Sequence, residues 1–360
     1  GAASESGVSA PQPPRRRSLW KRLAVSCAIG LVTLAILELG LSILAAIFYP
    51  RLTGTDERLG WIYNETSHPV SRRFVVLGGQ DIVYNISINS DGFRDEPFAR
   101  RPDWLQIMVL GDSLTFGLEA DQSELFCHLL EMRLREHLGT PNVDVMNFGL
   151  TGFAPCQETL VLEHYVDRVS PNAVVLMLNA ENDFRDNANY ATSSRVRPIF
   201  LLDGDGIALR TGQSPGQRLR GWLRDNSTLF FLLSNVPLFR GAVEASIPYT
   251  DEQKIELMCR ILKRMRADCA SREIPLFVFY IRHEADPDAH RDAIAELCDA
   301  DGIPFKEFPL WKRPGFAMTT HWGPEGHQNT AEVLFDTLAA HPLIAARLER
   351  APENAGIRAH

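Results

Sequence analysis

Four short polar segments of the chain carry the residue types needed for nucleophilic catalysis. The first, 111–117 (GDSLTFG), follows the apolar run 107–110 and puts Ser113 between a predicted strand and a predicted helix. Free backbone N–H groups and the helix dipole favour negative charge at a helix start, so a serine there can act as a nucleophile. The alternative is an ordinary helix cap, with Ser113 or Asp112 bonding the first turn and no chemistry.

The other three segments supply the partners that a nucleophilic serine needs. Segment 147–152 (NFGLTG) ends a second predicted strand with glycines that allow close backbone approach to a ligand. Segment 179–183 (NAEND) follows a third strand, and an asparagine there can donate its NH₂ group to an oxyanion. Segment 320–327 (THWGPEGH) precedes the last predicted helix, and a histidine there can act as a general base near neutral pH. Each segment taken alone fits a plain turn or loop.

The pattern of apolar runs predicts the scaffold that must bring these segments together. Strands are predicted at 107–110, 143–149, 173–179, 275–281 and 303–306. Helices are predicted near 122–138, 156–168, 251–271 and 288–300, with a last helix from about 324. Strands that alternate with helices indicate a mostly parallel sheet covered on both faces. Ligands bind at the carboxyl ends of such strands, so the four segments should converge there.

Two regions fall outside this alternation. Residues 49–104 contain short alternating runs, which predict small strands and turns packed on the main domain. Residues 186–250 contain a predicted hairpin around a DGDG turn, then an amphipathic stretch and an apolar segment. An insertion at this position can form a lid or a wall of the site, or it can simply thicken the core.

The N-terminal region has the composition of a membrane anchor. Residues 23–48 contain one charged residue, Glu38, and as a helix would extend about 39 Å, enough to cross a hydrocarbon core of about 30 Å. The apolar region of a cleaved signal peptide is shorter, about 7–15 residues. A basic cluster precedes the stretch, so the positive-inside rule predicts a cytoplasmic N-terminus and an extracytoplasmic main body. Glu38 either marks a partner within the membrane or is tolerated in its outer half.

Charge and cysteine content exclude other classes of protein. The chain has a formal net charge of −8 at pH 7, although residues 1–22 are basic, so the main body is strongly acidic. An acidic body argues against nucleic acid as a partner. The 6 cysteines include no CxxC pair, which excludes a zinc ribbon and a thioredoxin-type motif. There is no HExxH motif, and the sequence predicts neither a metal ion nor a cofactor.

In this order, and each at a predicted strand end, the four segments resemble the SGNH/GDSL hydrolase family. The resemblance covers about 105–340, and the segments 88–95 (INSDGFRD) and 197–209 also resemble membrane-anchored bacterial members. It implies an α/β, flavodoxin-like three-layer parallel sheet, which is the SGNH hydrolase fold. The N-terminal β-rich extension, the hairpin and helix insertion and one N-terminal transmembrane helix would be additions to that fold.

The resemblance also assigns roles to particular residues. It implies that Ser113 is the nucleophile and that His321 is the base. Gly152 and Asn182 would be oxyanion donors together with the Ser113 N–H group. His327 is a rival base, but it is predicted to lie inside the last helix, out of reach of the serine.

One member of the family's catalytic set is missing from its usual place. The family has an aspartate two or three residues before the histidine, where this chain has Thr319 and Met318. The triad acid orients the imidazole, and its loss can cost about 10⁴ in rate. The site is therefore a dyad oriented by Thr319 or a backbone carbonyl, or it takes an acid from elsewhere, such as Asp183, Asp286 or Glu325, or its activity is weakened or lost.

Resemblance and anchor together predict a membrane-anchored extracytoplasmic serine esterase or lipase that works through an acyl-serine intermediate. Its substrate would be an ester of a lipid or of an acylated carbohydrate. The alternatives are an O-acyltransferase that modifies an envelope glycan with the same site, and a non-catalytic envelope binding or assembly protein. The predicted parts are a disordered basic cytoplasmic tail (1–22), the transmembrane helix (23–48), the extension (49–104), the hydrolase domain (105–345) with its insertion (186–250), and a C-terminal tail (346–360).

Overall fold

The computed structural model of the chain describes residues 16–48, 52–66, 68–74, 81–192, 195–211, 214–234, 245–311, 321–342 and 344–345. Its strands are β1 (Thr53–Asp56), β2 (Gly60–Tyr63), β3 (Val70–Phe74), β4 (Ile82–Ile86), β5 (Leu105–Gly111), β6 (Val143–Gly149), β7 (Ala173–Asn179), β8 (Asn189–Thr192), β9 (Arg195–Val196), β10 (Ile199–Asp203), β11 (Gly206–Arg210), β12 (Ala245–Ser246), β13 (Leu276–Arg282) and β14 (Phe305–Pro309). Its helices are α1 (Arg16–Phe48), α2 (Ser113–Phe116), α3 (Phe126–Leu138), α4 (Pro155–Val169), α5 (Asp183–Asp186), α6 (Pro215–Asn226), α7 (Thr228–Ser234), α8 (Asp251–Ala270), α9 (Asp288–Ala300) and α10 (Pro324–Ala339). The predicted C-terminal tail and most of the predicted N-terminal tail lie outside the described residues.

The central sheet has the strand order β14-β13-β7-β5-β6, and neighbouring strands in it are parallel. This is the flavodoxin-like order, because β5, the first strand of the sheet along the chain, lies between the second and the third. Every residue of β5 and β7 is buried. A central parallel strand covered on both faces has this pattern. The predicted fold class is confirmed.

Helices cover both faces of the sheet, and the side chains of β5 alternate between the two layers. Ile107 and Val109 pack in the apolar cluster that includes α3 and α10. Met108 and Leu110 pack in the cluster that includes α4, α8 and α9. The alternation follows from the two-residue repeat of a strand. Both layers therefore hold the strand that leads to Ser113.

The predicted β-rich extension is present and shares the core of the main domain. Strands β1 and β2 form one antiparallel hairpin, and β3 and β4 form another. Trp61 and Phe98 of this region belong to the same buried cluster as Met108 of β5. The ring of Phe98 stacks on Phe148 of β6, with centroids 4.0 Å apart. The extension is thus part of the support beneath the strand ends.

The insertion contains the predicted hairpin, β10–β11, followed by helices α6 and α7. Helix α6 begins with a capping box, in which Ser214 and Gln217 bond each other's backbone N–H groups, and with Pro215 in its first turn. Helix α1 contains the stretch Trp20–Ala45, 26 residues with a mean hydropathy of 2.3. That stretch is long and apolar enough to cross a membrane, although a signal sequence near an N-terminus can have the same properties.

Candidate active site

Ser113 is the first residue of the short helix α2, directly after the carboxyl end of β5. Asp112 caps this helix, since its Oδ1 accepts the Leu114 N–H at 2.8 Å. Two glycines make room for the turn. A Cβ on Gly111 would lie 2.1 Å from Thr115 Oγ1, and one on Gly149 would lie 2.4 Å from the backbone of α2. The serine therefore stands on a tight, closely packed turn at the ligand-binding edge of the sheet.

His321 lies directly beside this serine. Its Nε2 atom is 3.0 Å from Ser113 Oγ, and its Nδ1 atom is 3.1 Å from Oε1 of Glu119. A neutral ring with its proton on Nδ1 donates to Glu119 and leaves Nε2 to accept the serine hydroxyl proton. Ser113, His321 and Glu119 thus form a continuous hydrogen-bonded chain, which has the geometry of a catalytic triad.

Glu119 is the residue that sequence reasoning missed. It comes shortly after Ser113 in the sequence, in the turn that follows α2. Its side chain is almost completely buried beside His321, which is 22% exposed. Its backbone φ is +69°, in the left-handed region that residues other than glycine seldom adopt. Such a conformation persists only where the surroundings hold it, and it is frequent at functional sites.

Arg94, from the segment INSDGFRD, holds the turn that carries Glu119. Its buried guanidinium donates to the carbonyls of Gly117 and of Ala120 (2.7 Å), which lie on either side of Glu119. It also donates to the carbonyl of Asn85 at 2.7 Å, which ties the turn to the extension. Burial lowers the pKa of Arg94 to about 10, so it remains charged at neutral pH. The extension therefore contributes directly to the position of the acid.

Asn182 lies against the turn that carries the serine. Its Nδ2 atom donates to Asp112 Oδ2 at 3.2 Å, and Nδ2 of Asn179 donates to the same oxygen at 2.9 Å. Burial raises the pKa of Asp112, and these N–H donors, with that of Leu114, act in the opposite direction. Asp112, the residue before Ser113, therefore connects the serine turn to the end of β7 and to Asn182.

Gly152 lies in the loop after β6, which the extension also holds. Its φ of +73° is in the left-handed region, where a side chain would be strained. The neighbouring Thr151 accepts a hydrogen bond from Trp61 Nε1 at its carbonyl (3.1 Å), and its Oγ1 is 2.9 Å from the hydroxyl of Tyr63. The loop that carries this predicted oxyanion donor is thus fixed from the side of β2.

The acids expected from the sequence lie elsewhere, and the structure corrects that expectation. Asp183 is buried, and its Oδ2 accepts the Asn179 N–H at 2.7 Å. Asp286 caps its own loop by accepting the His283 N–H at 2.6 Å. Glu325 is exposed in the first turn of α10. The carboxylate that contacts His321 Nδ1 is that of Glu119, which lies in the turn directly after α2.

Two more residues, Thr319 and His327, are candidates for this site from the sequence. Thr319, the position two before the histidine, lies outside the described residues. His327, the rival base, is buried in α10, where its Nδ1 accepts the Phe126 N–H at 3.3 Å and its ring stacks on that of Phe126. Within the described ranges, no group of three or more histidine, cysteine or acidic side chains could hold a metal ion.

A further buried carboxyl, on α4, lies close to Asp112. Glu158 of α4 is fully buried, and burial together with the nearby Asp112 raises its pKa well above the usual value. Burial and Glu158 likewise raise the pKa of Asp183. The raised pKa of Glu158 costs stability as the pH rises above about 4.5, the ordinary pKa of a glutamate. Above that pH the unfolded chain releases the proton more readily than the folded chain does.

Replacing Glu158 by glutamine should therefore flatten the pH dependence of thermal stability. The Tm of the variant should exceed that of the wild type at pH 8 by several degrees, since about 1 kcal/mol corresponds to roughly 2–4 °C for a domain of this size. At pH 4.5 the difference should be small. The control is Glu163→Gln on the same helix, which removes an exposed ion pair with Arg264. A Tm difference that does not grow with pH would contradict the assignment.

No family model matches the chain, and no curated protein matches it either. Solved structures do match, among them the psychrotrophic esterase EstA from Pseudoalteromonas sp., with 11% identity and a TM-score of 0.40 over 65% of this chain and 96% of that one. Est24, a carbohydrate acetylesterase from Sinorhizobium meliloti, has 10% identity and a TM-score of 0.37 over 65% and 98%. The lipase/acylhydrolase from Enterococcus faecalis has 14% identity and a TM-score of 0.35 over 65% and 94%.

The elements that carry the SGNH/GDSL resemblance in the sequence occupy the corresponding places in the structure. Ser113 follows the first strand of the sheet, Asn182 follows the third, and His321 precedes the last described long helix. The sheet order gives this chain a flavodoxin-like α/β fold, and its serine turn and histidine lie at the places that the resemblance implies.

Proposed function

We propose that this chain is a serine esterase that cleaves ester bonds through an acyl-serine intermediate. The observation that carries the proposal is the hydrogen-bonded chain from Ser113 Oγ through the imidazole of His321 to Glu119, with contacts of 3.0 and 3.1 Å. The test is labelling of the purified protein by a serine-reactive fluorophosphonate, with mass spectrometry to locate the adduct. An adduct on Ser113 supports the proposal, and an unreactive protein speaks for a non-catalytic role.

The proposed reaction has two steps. In the first, Ser113 Oγ attacks the acyl carbon while His321 Nε2 takes the hydroxyl proton, and the same proton then goes to the departing alcohol. In the second, water attacks the acyl-serine, His321 takes a proton from that water, and Ser113 recovers its proton as the acid leaves. Glu119 holds the proton on Nδ1 and stabilises the charged imidazolium in both steps.

The oxyanion of each tetrahedral intermediate would be held by the backbone N–H groups of Ser113 and Gly152 and by the side chain of Asn182. Asn182 supports this role because its NH₂ group is directed at the serine turn through Asp112. The left-handed backbone of Gly152 and the bonds on Thr151 keep the opposite loop in one conformation. Donors that are already fixed need no reorganisation when charge develops.

Replacing Asn182 by alanine should lower kcat by about 10²–10³ and leave KM nearly unchanged, because an oxyanion donor acts mainly in the transition state. Steady-state kinetics on a small activated ester measures both constants. Asn189→Ala is the matched control, because Asn182 and Asn189 both donate to Asp186, at 3.5 and 3.2 Å, and within the described residues only Asn182 of the two also donates to Asp112. An increase in KM with an unchanged kcat would assign Asn182 to ground-state binding.

We also propose that α1 anchors the protein in a membrane and that the esterase domain lies on the extracytoplasmic side. The apolar stretch Trp20–Ala45 and the basic residues before it support this placement. Alkaline phosphatase, which is active only outside the cytoplasm, should be active when fused after His360 and expressed in a bacterial host. A fusion of green fluorescent protein at the same point is the control. Fluorescence without phosphatase activity would refute the orientation.

A further inference from the structure

Helix α7 of the insertion packs against α1 through the one acid in its apolar stretch. The Glu38 carboxylate accepts hydrogen bonds from the backbone N–H groups of Thr228 and Leu229 (3.0 Å) and from Ser227 Oγ (2.9 Å). Ser42, one turn further along α1, lies with its Oγ 2.9 Å from Thr228 Oγ1. The partner of this acid is therefore a segment of the same chain, far away in sequence.

The contact between Glu38 and α7 lies within the apolar stretch of α1, near its end. Glu38 precedes Ala45, the end of the apolar stretch, by about 10 Å along the helix axis. In hydrocarbon, an acid without a partner is costly, and so are the unpaired N–H groups at the start of a helix. Here the Glu38 carboxylate and the N–H groups at the start of α7 bond each other. The sequence of α7, TLFFLLS, carries no charge, so the whole segment is compatible with the depth at which Glu38 holds it.

The neighbouring helix α6 continues the same surface. Large apolar side chains are exposed on both helices, at Leu219, Trp222, Leu232 and Leu233. Helix α6 also carries three arginines and an aspartate within the sequence PGQRLRGWLRDN. Tryptophan and leucine together with arginines on a short amphipathic helix are typical of helices that lie in a membrane interface, where long basic side chains reach the headgroups.

We propose that α6 and α7 form a membrane-docking surface, with α7 seated in the outer leaflet against α1 and α6 lying among the lipid headgroups. The proposal rests on the membrane placement of α1 proposed above, and its occupant is the lipid bilayer, because the surface begins where α7 meets the apolar stretch. The surface also leads to the site. Asp225 of α6 accepts the Thr55 N–H of β1 at 3.1 Å, and β1 pairs with β2, whose Trp61 holds the loop of Gly152. Docking would therefore set the height of the esterase site above the bilayer.

The test is the depth of single spin labels in the full chain, reconstituted in nanodiscs of phosphatidylcholine and phosphatidylglycerol. One label goes on Leu233→Cys in α7, which is 44% exposed, and one on Leu209→Cys of the β10–β11 hairpin, which is 43% exposed and serves as the matched control. The half-buried Cys259 is replaced by alanine throughout. The exposed Cys27 of α1 is replaced in these two variants and labelled in a third. Relaxation by oxygen, compared with relaxation by a water-soluble nickel chelate, reports the depth of each label.

The labels on Cys27 and Leu233→Cys should relax at least about tenfold more with oxygen than with nickel, relative to the label on Leu209→Cys. A lipid-embedded Cys27 with an aqueous Leu233→Cys would overturn the docking surface and leave the anchor intact, whereas an aqueous Cys27 would overturn both. Neither outcome depends on ester hydrolysis, which is measured on the same samples. If the cysteine variants fail to assemble, quenching by brominated lipids of the wild type and of Trp222→Phe tests α6 directly. Equal quenching of the two would contradict the proposal.

Discussion

Replacing Ser113 by alanine should lower kcat on a small activated ester by about 10⁶, the scale seen when a triad serine is removed. The variant should also lose all labelling by a fluorophosphonate. The reason is that Ser113 Oγ would form the bond to the acyl group, and within the described site no second hydroxyl lies within hydrogen-bond distance of His321 Nε2. Steady-state kinetics and mass spectrometry of the labelled protein measure the two effects.

The control for this variant is Ser123→Ala. Ser123 is an exposed serine in the 3₁₀ turn just beyond the acid, so its hydroxyl samples the same solvent and reagent without contact to the histidine. It should keep wild-type kinetics. If Ser113→Ala retained most of the esterase activity, the acyl-serine mechanism would be excluded, and Ser113 would be only the residue that begins α2.

Replacing Glu119 by glutamine should lower kcat by about 10⁴, the cost measured when a triad acid becomes its amide. Glutamine keeps the shape of the side chain but can turn its NH₂ group toward His321 Nδ1. The ring would then carry its proton on Nε2, where it cannot accept the proton of Ser113. KM should change little, because Glu119 contacts the base and not the substrate. The pH–rate profile should also change, because the carboxylate no longer stabilises the protonated ring.

Three further variants separate catalysis from folding at Glu119. Glu124→Gln, in the next turn, is the control and should be nearly neutral. Combining Ser113→Ala with Glu119→Gln should cost no more than Ser113→Ala alone, since residues of one triad act as a unit. Arg94→Lys, which cannot hold both carbonyls of the turn, should lower kcat by about 10², the scale expected for a misplacement of about 1 Å. Independent, additive losses would contradict the triad.

The position two before the histidine offers a complementary test of the acid. Thr319→Asp restores the family's residue at that place in the sequence. In the wild-type background, where Glu119 already fills the role, we expect no gain. In the Glu119→Gln background a partial recovery would show that an acid can act from either position. A clear gain in the wild-type background would mean that Glu119 is not an effective partner of His321.

Much of this protein is determined by the local sequence. The buried strands of the central sheet could be located because a strand covered on both faces must be apolar along its whole length, and β6 and β7 match the predicted 143–149 and 173–179. The strand–helix alternation then required a parallel sheet, whose carboxyl edge gathers the loops that follow each strand. For that reason Ser113, Asn182 and the segment of His321 could be expected at one edge before any contact was known.

The tertiary structure alone decided which groups touch. Glu119 is an ordinary glutamate in the sequence, and its role depends on a left-handed backbone at φ +69° and on Arg94, which bonds the carbonyls on either side of it. That conformation is imposed by a residue from the extension, so no local pattern could reveal it. The partner of Glu38 could not be found in the sequence for the same reason. The sequence shows that an acid interrupts the apolar stretch, but the N–H groups that bond it come from the distant helix α7. Periodicity reports which residues are buried, but a hydrogen bond between distant segments depends on how those segments pack.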